Sequence, residues 1–201
     1  FDLMKKSYHH LYQDQVDKII EEFGDFVLIN TNFGSFNNVV GLSRRVDNLC
    51  KKYKNHPHNL QKAIELLSHQ AKLFLDFVDL IKYISKTSKL NIIIRPHPEE
   101  SLDTYKSLFK DYSNIKVIYK HSVTPWLISS KFMIHHDCTT AIEYRMIGKC
   151  PISYCKTINS DLVANETLKV SHCVKNLEDL VPILSNDIRL NPQKTSIIDE
   201  Y

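Results

Sequence analysis

Residues 115–147 read IKVIYKHSVTPWLISSKFMIHHDCTTAIEYRMI, in which apolar segments and helical patterns alternate. The apolar segments 115–119 and 132–135 are predicted strands, and the segments 125–129 and 140–147 are predicted helices. Strands that alternate with helices across short links are typical of βαβ units, whose strands pair in parallel. Right-handed crossovers then place helices on both faces of the sheet. This part of the chain therefore predicts a Rossmann-like α/β fold.

The same alternation extends in both directions. Two more buried strands are predicted upstream because their segments are short and mostly apolar: residues 26–30 (FVLIN) and 90–94 (LNIII). Helical periodicity predicts further helices at 11–23, at 58–86 as one long helix or two shorter ones, at 101–109 and at 177–184. The first of these helices has Leu11 and Ile20 on its apolar side, and Gly24 can end it. A last strand is predicted at 151–154.

The composition fits a single α/β domain over residues 1–201. Hydrophobic residues make up 43% of the chain, which is enough for a core, and the formal net charge is +3. No Lys/Arg stripe stands out along the sequence, so we expect no nucleic-acid partner. A mildly basic domain suits an anionic small molecule.

The sequence also bears on the compartment. No apolar run approaches the roughly 20 residues that span a bilayer, and the opening FDLMKKSYHH has no apolar signal-peptide core. The five cysteines form no CxxC pair, which favours reduced thiols. These observations predict a cytoplasmic protein. Because the chain does not begin with methionine, we also expect it to be a piece of a longer protein.

In open parallel sheets, ligands bind at the carboxyl ends of the strands, so the loops there hold the candidate site residues. Asn30, Thr31, Asn32 and Gly34 follow the first strand and can hydrogen-bond a phosphate or a sugar. The alternative is a turn built from asparagine and glycine. The segment is neither a GxGxxG motif nor a P-loop, so it indicates neither a dinucleotide nor an ATPase site.

The Arg95-Pro96-His97-Pro98 segment follows the next strand. Its two prolines fix the backbone, and we expect a rigid loop that presents Arg95 and His97 to an anion. The guanidinium offers a fork of donors for phosphate, and the imidazole can donate to a phosphate or protonate a leaving group. The alternative is a loop locked by proline, with a solvated arginine and an incidental histidine.

A third candidate lies where the strand 132–135 meets a helix. Free N–H groups and the helix dipole favour phosphate there, and Thr139 and Thr140 add hydroxyl donors. Glu143 lies one turn into the helix, where it can accept hydrogen bonds from a ribose diol. The alternative is that Thr140-x-x-Glu143 forms a capping box that needs no ligand.

His121 is a further candidate ligand contact, because it follows the strand 115–119 at the same edge. The nearby Trp126 is expected to be buried. His135 and His136 are adjacent at a strand end, so their side chains point to opposite faces and cannot easily chelate one ion. We therefore predict no metal site, and expect one of the two, His136, to face the ligand.

The segment IKVIYKHSVTPWLISSKFMIHHDCTTAIEYRMIGKCPISY is similar to the C-terminal region of bacterial surface carbohydrate biosynthesis proteins. The upstream segments FDLMKK, NTNFGSFNN and RPHPEE resemble the same family in the same order. The broader group contains GT-B transferases such as bacterial sialyltransferases, capsule Kdo transferases and CDP-glycerol glycerophosphotransferases. The resemblance implies the C-terminal, donor-binding half of a GT-B fold, with the acceptor domain outside this chain.

In that group an HP motif and a downstream Ser/Thr pair hold the donor's cytidine nucleotide. His97-Pro98 matches the HP motif, Thr139 and Thr140 match the pair, and Glu143 matches an acidic residue in the next helix. The resemblance implies a glycosyltransferase that uses a nucleotide-activated sugar, CMP- or CDP-linked in preference to UDP-linked. No other cofactor is implied. This chain departs from the family's GKP-type turn at Cys150, in Gly-Lys-Cys-Pro.

The implied partners are the nucleotide-activated sugar and a glycan or lipid-linked acceptor. Membrane association is expected only through the missing domain or through a partner. Two alternatives stay open: a nucleotide-sugar epimerase of the same fold, and a non-catalytic module in polysaccharide assembly. An epimerase needs carboxylates for proton abstraction, and Glu99, Glu100 and Asp137 are the acidic residues near the sheet edge.

Overall fold

The computed structural model describes residues 6–157, residues 165–185 and residue 190. Its centre is a six-stranded sheet in the order β3-β2-β1-β4-β5-β6, and every ladder in it is parallel. The strands are β1 (Phe26–Asn30), β2 (Asn91–Arg95), β3 (Ile115–Val117), β4 (Phe132–His135), β5 (Ile152–Tyr154) and β6 (His172–Val174). This order is the one described for doubly wound nucleotide-binding folds, and the predicted Rossmann-like α/β class is confirmed.

Eight α-helices connect the strands within the described residues. A 3-10 helix, Lys6–Tyr12, leads directly into the first of them. The helices are α1 (Gln13–Phe23), α2 (Leu42–Lys52), α3 (Pro57–Thr87), α4 (Leu102–Leu108), α5 (Val123–Ser129), α6 (Thr140–Met146), α7 (Asn165–Lys169) and α8 (Leu180–Leu184). None of the helices in this part of the chain is long and apolar enough to cross a membrane.

Alternate side chains of β1 enter two different hydrophobic clusters, one on each face of the sheet. Val27 and Ile29 pack in the larger cluster, to which α3 contributes a row of buried residues including Phe77. Phe26 and Leu28 pack in the smaller cluster, which contains Trp126 of α5. All five residues of β1 are buried, as expected for a central strand covered on both faces. The prediction of helices on both faces is therefore confirmed.

Several predicted boundaries shift in the structure. The first α-helix begins at Gln13 instead of residue 11, and Leu11 and Ile20 are 58% and 47% exposed, so the predicted apolar side is only partly buried. Gly24 ends that helix with a positive φ of 59°, as predicted. The predicted strand 115–119 ends at Val117, and the final helix begins at Leu180, three residues later than expected.

The sequence patterns missed three elements. Helix α2 was missed although Leu42, Val46 and Leu49 have helical spacing, and it buries none of its residues. Helix α7 and strand β6 are only 5 and 3 residues long, which is too short for a periodic signal. The segment 58–86 is confirmed as one helix, α3, of 31 residues.

The sheet order brings three polar strand ends together. The chain reverses its direction of travel across the sheet at β1, which pairs with β2 on one side and β4 on the other. In register, Asn30 at the end of β1 lies opposite Arg95 on β2 and opposite His135 on β4. In open α/β sheets such a reversal leaves a crevice outside the carboxyl ends of the strands. The fold thus predicts where a ligand binds before any side chain is considered.

Candidate functional site

A cleft of about 290 Å³ opens at this carboxyl edge, beside the ends of β1 and β2. It is lined by Asn30, Thr31, Arg95, Pro96, His97, Pro98, Tyr119, His121, Ser122, Val123, Cys138 and Thr140. Seven of these residues are site residues predicted from the sequence, namely Asn30, Thr31, Arg95, His97, Pro98, His121 and Thr140. Loops that are distant in sequence therefore converge on one cavity.

Arg95 is the buried cation of this cleft. As the last residue of β2 it is only 8% exposed, so the alternative of a solvated arginine is wrong. Its Nη1 and Nη2 donate to the carbonyl oxygens of Lys120 and His121 at 2.7 and 2.8 Å. The guanidinium carbon lies 5.2 Å from the centre of the Tyr119 ring, and burial lowers the pKa of Arg95. Arg95 thus ties the β3–α5 loop to the end of β2.

Among the described residues no carboxylate forms an ion pair with Arg95, and the ion pairs of Lys106, Lys131 and Lys156 lie elsewhere. A guanidinium carries five N–H donors, and the two carbonyl contacts leave others available. Burying a cation without an anionic partner is unfavourable, so an anion that enters the cleft relieves this cost. The local electrostatics therefore favour a phosphate or a carboxylate as ligand.

The loop that contains His97 and Pro98, called the HP loop, is held by the buried carboxylate of Glu100. Glu100 is 2% exposed, and its Oε1 accepts hydrogen bonds from the Thr31 hydroxyl at 2.7 Å and from the His97 amide at 2.9 Å. Its Oε2 accepts from the Tyr105 hydroxyl at 2.5 Å. The Tyr105 hydroxyl also lies 3.1 Å from the Thr31 hydroxyl oxygen. The position of the HP loop is thus fixed by hydrogen bonds as well as by its prolines.

His97 itself points outward from this support. Its ring is exposed, and Nδ1 accepts from the Glu99 amide at 3.3 Å. An accepting Nδ1 carries no hydrogen, so the neutral ring has its proton on Nε2. The Nε2–H is then the hydrogen-bond donor of the ring.

The opposite wall is built by Asn30 and Thr140. The Asn30 Nδ2 donates to the Thr140 hydroxyl oxygen at 2.9 Å, and the same oxygen lies 3.0 Å from the Cys138 sulfur. The Thr140 hydroxyl is therefore engaged with the sheet edge. Helix α6 has Thr139 as its N-cap and no side-chain capping bond, so the capping-box alternative for Thr140 and Glu143 is wrong.

Two loops at the cleft contain strained residues. His121 and Asp137 have φ angles of 61° and 44°, in the left-handed region that glycine usually occupies. A residue other than glycine costs about 1–2 kcal/mol in this conformation. Such strain persists where the surrounding structure fixes the backbone, and it is concentrated at functional sites. The Arg95 bond to the His121 carbonyl is one contact that holds this conformation.

The other five predicted site residues do not line the cleft. Asn32 donates to the Asp137 carbonyl at 3.1 Å, and a side chain at Gly34 would meet Glu99 at 3.1 Å. Thr139 is exposed at the start of α6. Glu143 is half-buried, and burial raises its pKa. The roles of these residues in binding stay predictions.

His136, the fifth of these residues, packs inside the protein. It is 5% exposed, and its ring stacks on Phe33 with 6.2 Å between centroids and 7° between planes. It also contacts the edge of Phe77, and burial lowers its pKa to about 4. Burial against these two aromatic rings explains why this histidine stays neutral in the core.

His135 points the other way, as the alternation along a strand predicts. It is fully buried, and its Nε2 lies 2.8 Å from the Ser171 hydroxyl oxygen. Ser171 donates its own hydrogen to the Thr167 carbonyl, so His135 is the donor in this pair. Burial and the neighbouring His136 lower the pKa of His135 to about 3. Nowhere in the described part of the chain do three metal-ligating side chains come together.

Two larger cavities adjoin the cleft. One of about 340 Å³ shares His97, Pro98 and Tyr119 with it, and one of about 760 Å³ shares Tyr119 and His121. Ligand pockets usually measure about 300–1,000 Å³. The cleft alone fits a phosphate and its immediate substituents, and the adjoining cavities offer room for the rest of a nucleotide-sized ligand.

The sequence reasoning missed Glu100 as a support and Tyr119 as a wall of the cleft. Tyr119 is 49% exposed. It is the last residue of the apolar segment 115–119, so the apolar pattern assigned it to the strand instead of the site. Tyr105 and Ser171 were missed as well, because each acts through a partner on a different element. Pairings of this kind have no local sequence signal.

Fold and cleft together define the chain as a parallel, Rossmann-like α/β domain with a buried cation at the carboxyl edge of its sheet. No protein-family model matches the sequence. No curated protein matches it either.

Solved structures give a distant likeness. The UDP-GlcNAc 2-epimerase of Methanocaldococcus jannaschii, in complex with UDP-GlcNAc and UDP, is 15% identical with a TM-score of 0.49, covering 92% of this chain and 46% of that one. A second structure of the epimerase from this organism is 14% identical with a TM-score of 0.47, covering 90% and 45%. The chain thus spans about half the length of these structures. A likeness at this level carries no information about activity.

Proposed function

We propose that this chain is the donor-nucleotide-binding domain of a glycosyltransferase, and that the phosphate of a nucleotide-activated sugar binds in the cleft. The observation that carries the proposal is Arg95. It is a buried guanidinium without a carboxylate partner among the described residues, and it lies at the crevice where parallel α/β sheets bind ligands. The family resemblance of the HP loop supports the same assignment.

Each group in the cleft has a role that follows from its position. Arg95 compensates the phosphate charge, and the Nε2–H of His97 donates to a phosphate oxygen. When the bond between the anomeric carbon and the phosphate oxygen breaks, negative charge grows on that phosphate, which is part of the leaving group. Groups that are already in position stabilise this charge without reorganisation. The nearby Thr140 hydroxyl and His121 ring complete the polar lining. The scheme contains no metal-dependent step.

The donor that we propose is CMP- or CDP-linked, with a UDP-linked donor as the alternative. This preference rests on the resemblance to enzymes that use cytidine nucleotides. The acceptor, a glycan or a lipid-linked sugar, would bind to a part of the enzyme outside this chain.

An epimerase of the same fold is less favoured by the geometry. Proton abstraction needs a carboxylate at the reacting carbon; no acidic side chain lines the cleft itself, and Glu22, Glu100 and Asp103 line the adjoining cavities. Glu100 is occupied by three hydrogen bonds, and Asp137 accepts one from Thr167. Glu99 is exposed. Such an acid would have to come from a part of the enzyme outside the cleft.

A titration of thermal unfolding with CMP, CDP, UDP and GDP tests the proposal. A ligand at a hundred times its Kd adds about 2.7 kcal/mol to the free energy of unfolding, which is roughly 5–10 °C in Tm for a domain of this size. His97→Ala should weaken the binding about 10- to 100-fold, because a hydrogen bond to a charged group is lost. His58→Ala is the matched control, since His58 is exposed and lies outside the cleft.

The outcomes separate the possibilities. A shift with a cytidine nucleotide that His97→Ala reduces and His58→Ala keeps supports the cytidine-linked donor. A larger shift with UDP keeps the donor domain and removes the cytidine preference. Equal shifts for both variants contradict the role of His97. No shift with any of the four nucleotides would count against the donor-domain proposal and for a non-catalytic module.

A further inference from the structure

Tyr119 is the residue at which the cavities of the carboxyl edge meet. It lines the cleft and both adjoining cavities, and no other described residue lines all three. Its side chain is 49% exposed. The ring of Trp126, by contrast, is 2% exposed and packs against Phe23 and Phe26. A ligand that extends from the cleft into either adjoining cavity therefore contacts the ring of Tyr119.

One face of the Tyr119 ring is covered by the protein itself. The guanidinium carbon of Arg95 lies over the ring, 5.2 Å from its centre, and 6.0 Å from the centre of the Trp126 ring. No aromatic ring of another described residue stacks on Tyr119. With a cation on one side and half of the side chain exposed, the opposite face of the ring is open to the cavities.

The backbone that carries Tyr119 is fixed although its side chain is exposed. The next carbonyl, of Lys120, accepts from the Arg95 Nη1 at 2.7 Å and from the Trp126 indole N–H at 2.9 Å. The carbonyl of His121 accepts from the Arg95 Nη2 at 2.8 Å. A short aromatic side chain on a backbone already in position loses little conformational freedom when a ligand binds. The open face of Tyr119 is thus a preformed flat surface beside the buried cation.

We propose that the nucleobase of the donor stacks on the open face of Tyr119, an inference that rests on the proposed function of the cleft. In a nucleoside 5′-phosphate only the ribose separates the base from the phosphate. A phosphate bound at Arg95 and His97 therefore leaves the base within reach of the neighbouring ring. Aromatic side chains bind bases through their π faces, and loss of one such contact weakens binding about 10- to 100-fold.

Stacking on Tyr119 provides affinity for a nucleoside without selecting one base. Every nucleobase has a π face, so cytosine and uracil should depend on this ring to the same extent. The alternative is that the ring only shields the guanidinium of Arg95. Its loss would then act on the phosphate, and it would weaken every phosphate ligand alike. The two roles therefore differ in whether the ligand needs a base.

Titrations with CMP, UMP and ribose 5-phosphate separate these roles, because ribose 5-phosphate has the phosphate and the ribose but no base. Nuclear magnetic resonance of the ligand measures each Kd, weak binding included. Tyr119→Ala should weaken CMP and UMP binding about 10- to 100-fold. Ribose 5-phosphate should bind this variant within about threefold of the parent, since Arg95 and His97 remain.

The same spectra report stacking directly. The ring current of a tyrosine shifts the protons of a base stacked on it upfield, so the parent should shift the base protons of CMP on binding. Tyr119→Phe keeps the ring, and it should preserve this shift and bind CMP within about threefold of the parent. Tyr119→Leu keeps an apolar side chain next to Arg95 without a π face, and it should abolish the shift.

A tyrosine elsewhere provides the matched control. Tyr8 is 41% exposed and lines none of the three cavities, so Tyr8→Ala should leave each Kd within about threefold of the parent value. Circular dichroism and Tm establish that each variant is folded. Because Tyr119 is half-exposed, at least one of its three variants should fold like the parent.

The results that contradict this inference differ from those that contradict the proposed function. Equal weakening of CMP and ribose 5-phosphate by Tyr119→Ala would limit Tyr119 to supporting Arg95. Equal affinity of the parent for these two ligands, or base protons that do not shift upfield, would show that the base does not stack. In each of these cases the cleft remains a phosphate site. If neither CMP nor UMP binds to the parent, both the inference and the proposed function fail.

Discussion

The Glu100→Ala variant should unfold with a free energy about 3–5 kcal/mol below that of the parent, which is a large share of the stability of an ordinary domain. Glu100 is 2% exposed and accepts hydrogen bonds from the Thr31 hydroxyl, the Tyr105 hydroxyl and the His97 amide. Alanine removes the acceptor of the Thr31 hydroxyl and of the His97 amide, leaves the Tyr105 hydroxyl only the Thr31 oxygen at 3.1 Å, and opens a cavity beneath the HP loop. Each unsatisfied buried group costs about 1–3 kcal/mol. Urea unfolding followed by circular dichroism measures the difference.

Glu99 provides the matched control, because it is a glutamate in the same loop and is exposed. Glu99→Ala should change the free energy of unfolding by less than about 0.5 kcal/mol. Loss of the Glu100 network should also weaken nucleotide binding, since His97 then lacks its fixed backbone. If Glu100→Ala and Glu99→Ala unfold alike, the buried network does not support the loop and the role assigned to Glu100 is wrong.

Acid should destabilise the protein well before its carboxylates are fully protonated, through His135 and His136. Burial lowers their pKa values to about 3 and about 4, so both rings stay neutral in the folded state where unfolded histidines are charged. Because the unfolded chain binds more protons below its histidine pKa of about 6.5, stability is highest above that pH and falls as the pH decreases. Below pH of about 6.5, each of the two histidines lowers the free energy of unfolding by about 1.4 kcal/mol per pH unit, until the pH reaches its folded pKa.

Between neutral pH and pH of about 4.5 the two histidines together should remove about 5 kcal/mol from the free energy of unfolding. The His136→Phe variant should lose about 2–3 kcal/mol less over the same range, because a ring of similar shape remains between Phe33 and Phe77 without a group to protonate. His58→Phe changes an exposed histidine and should leave the acid dependence unchanged. Parallel acid profiles for the parent and His136→Phe would show that His136 is protonated freely in the fold.

The sheet could be predicted from the sequence because its strands are buried on both faces. FVLIN and FMIH predict β1 and β4 at their observed boundaries, since a short apolar run between polar links is typical of a buried strand. Crossover rules and the order of the strands along the chain determine only part of their order in the sheet. Strand β6 and helix α7 were missed because 3 and 5 residues cannot display a period.

The location of the site could be predicted from the sequence better than the contacts of its side chains. The rule that ligands bind at the carboxyl ends of parallel strands selected Asn30, Arg95, His97 and Thr140, and the structure brings all four to one cleft. The rule does not say which way a side chain turns. The His136 side chain points into the core, where it stacks on Phe33. The Arg95 guanidinium is buried and donates to carbonyl oxygens 25 and 26 residues away in sequence.

The two outermost strands, β3 and β6, are only 3 residues each, and β3 carries an exposed lysine at its centre, Lys116. A short edge offers few unpaired backbone groups to another chain, and a charged side chain on it makes β-strand addition costly. The sheet is therefore poorly suited to grow by recruiting a further strand. Amyloid-like aggregation through these two strands is therefore expected to be slow, even in concentrated solution.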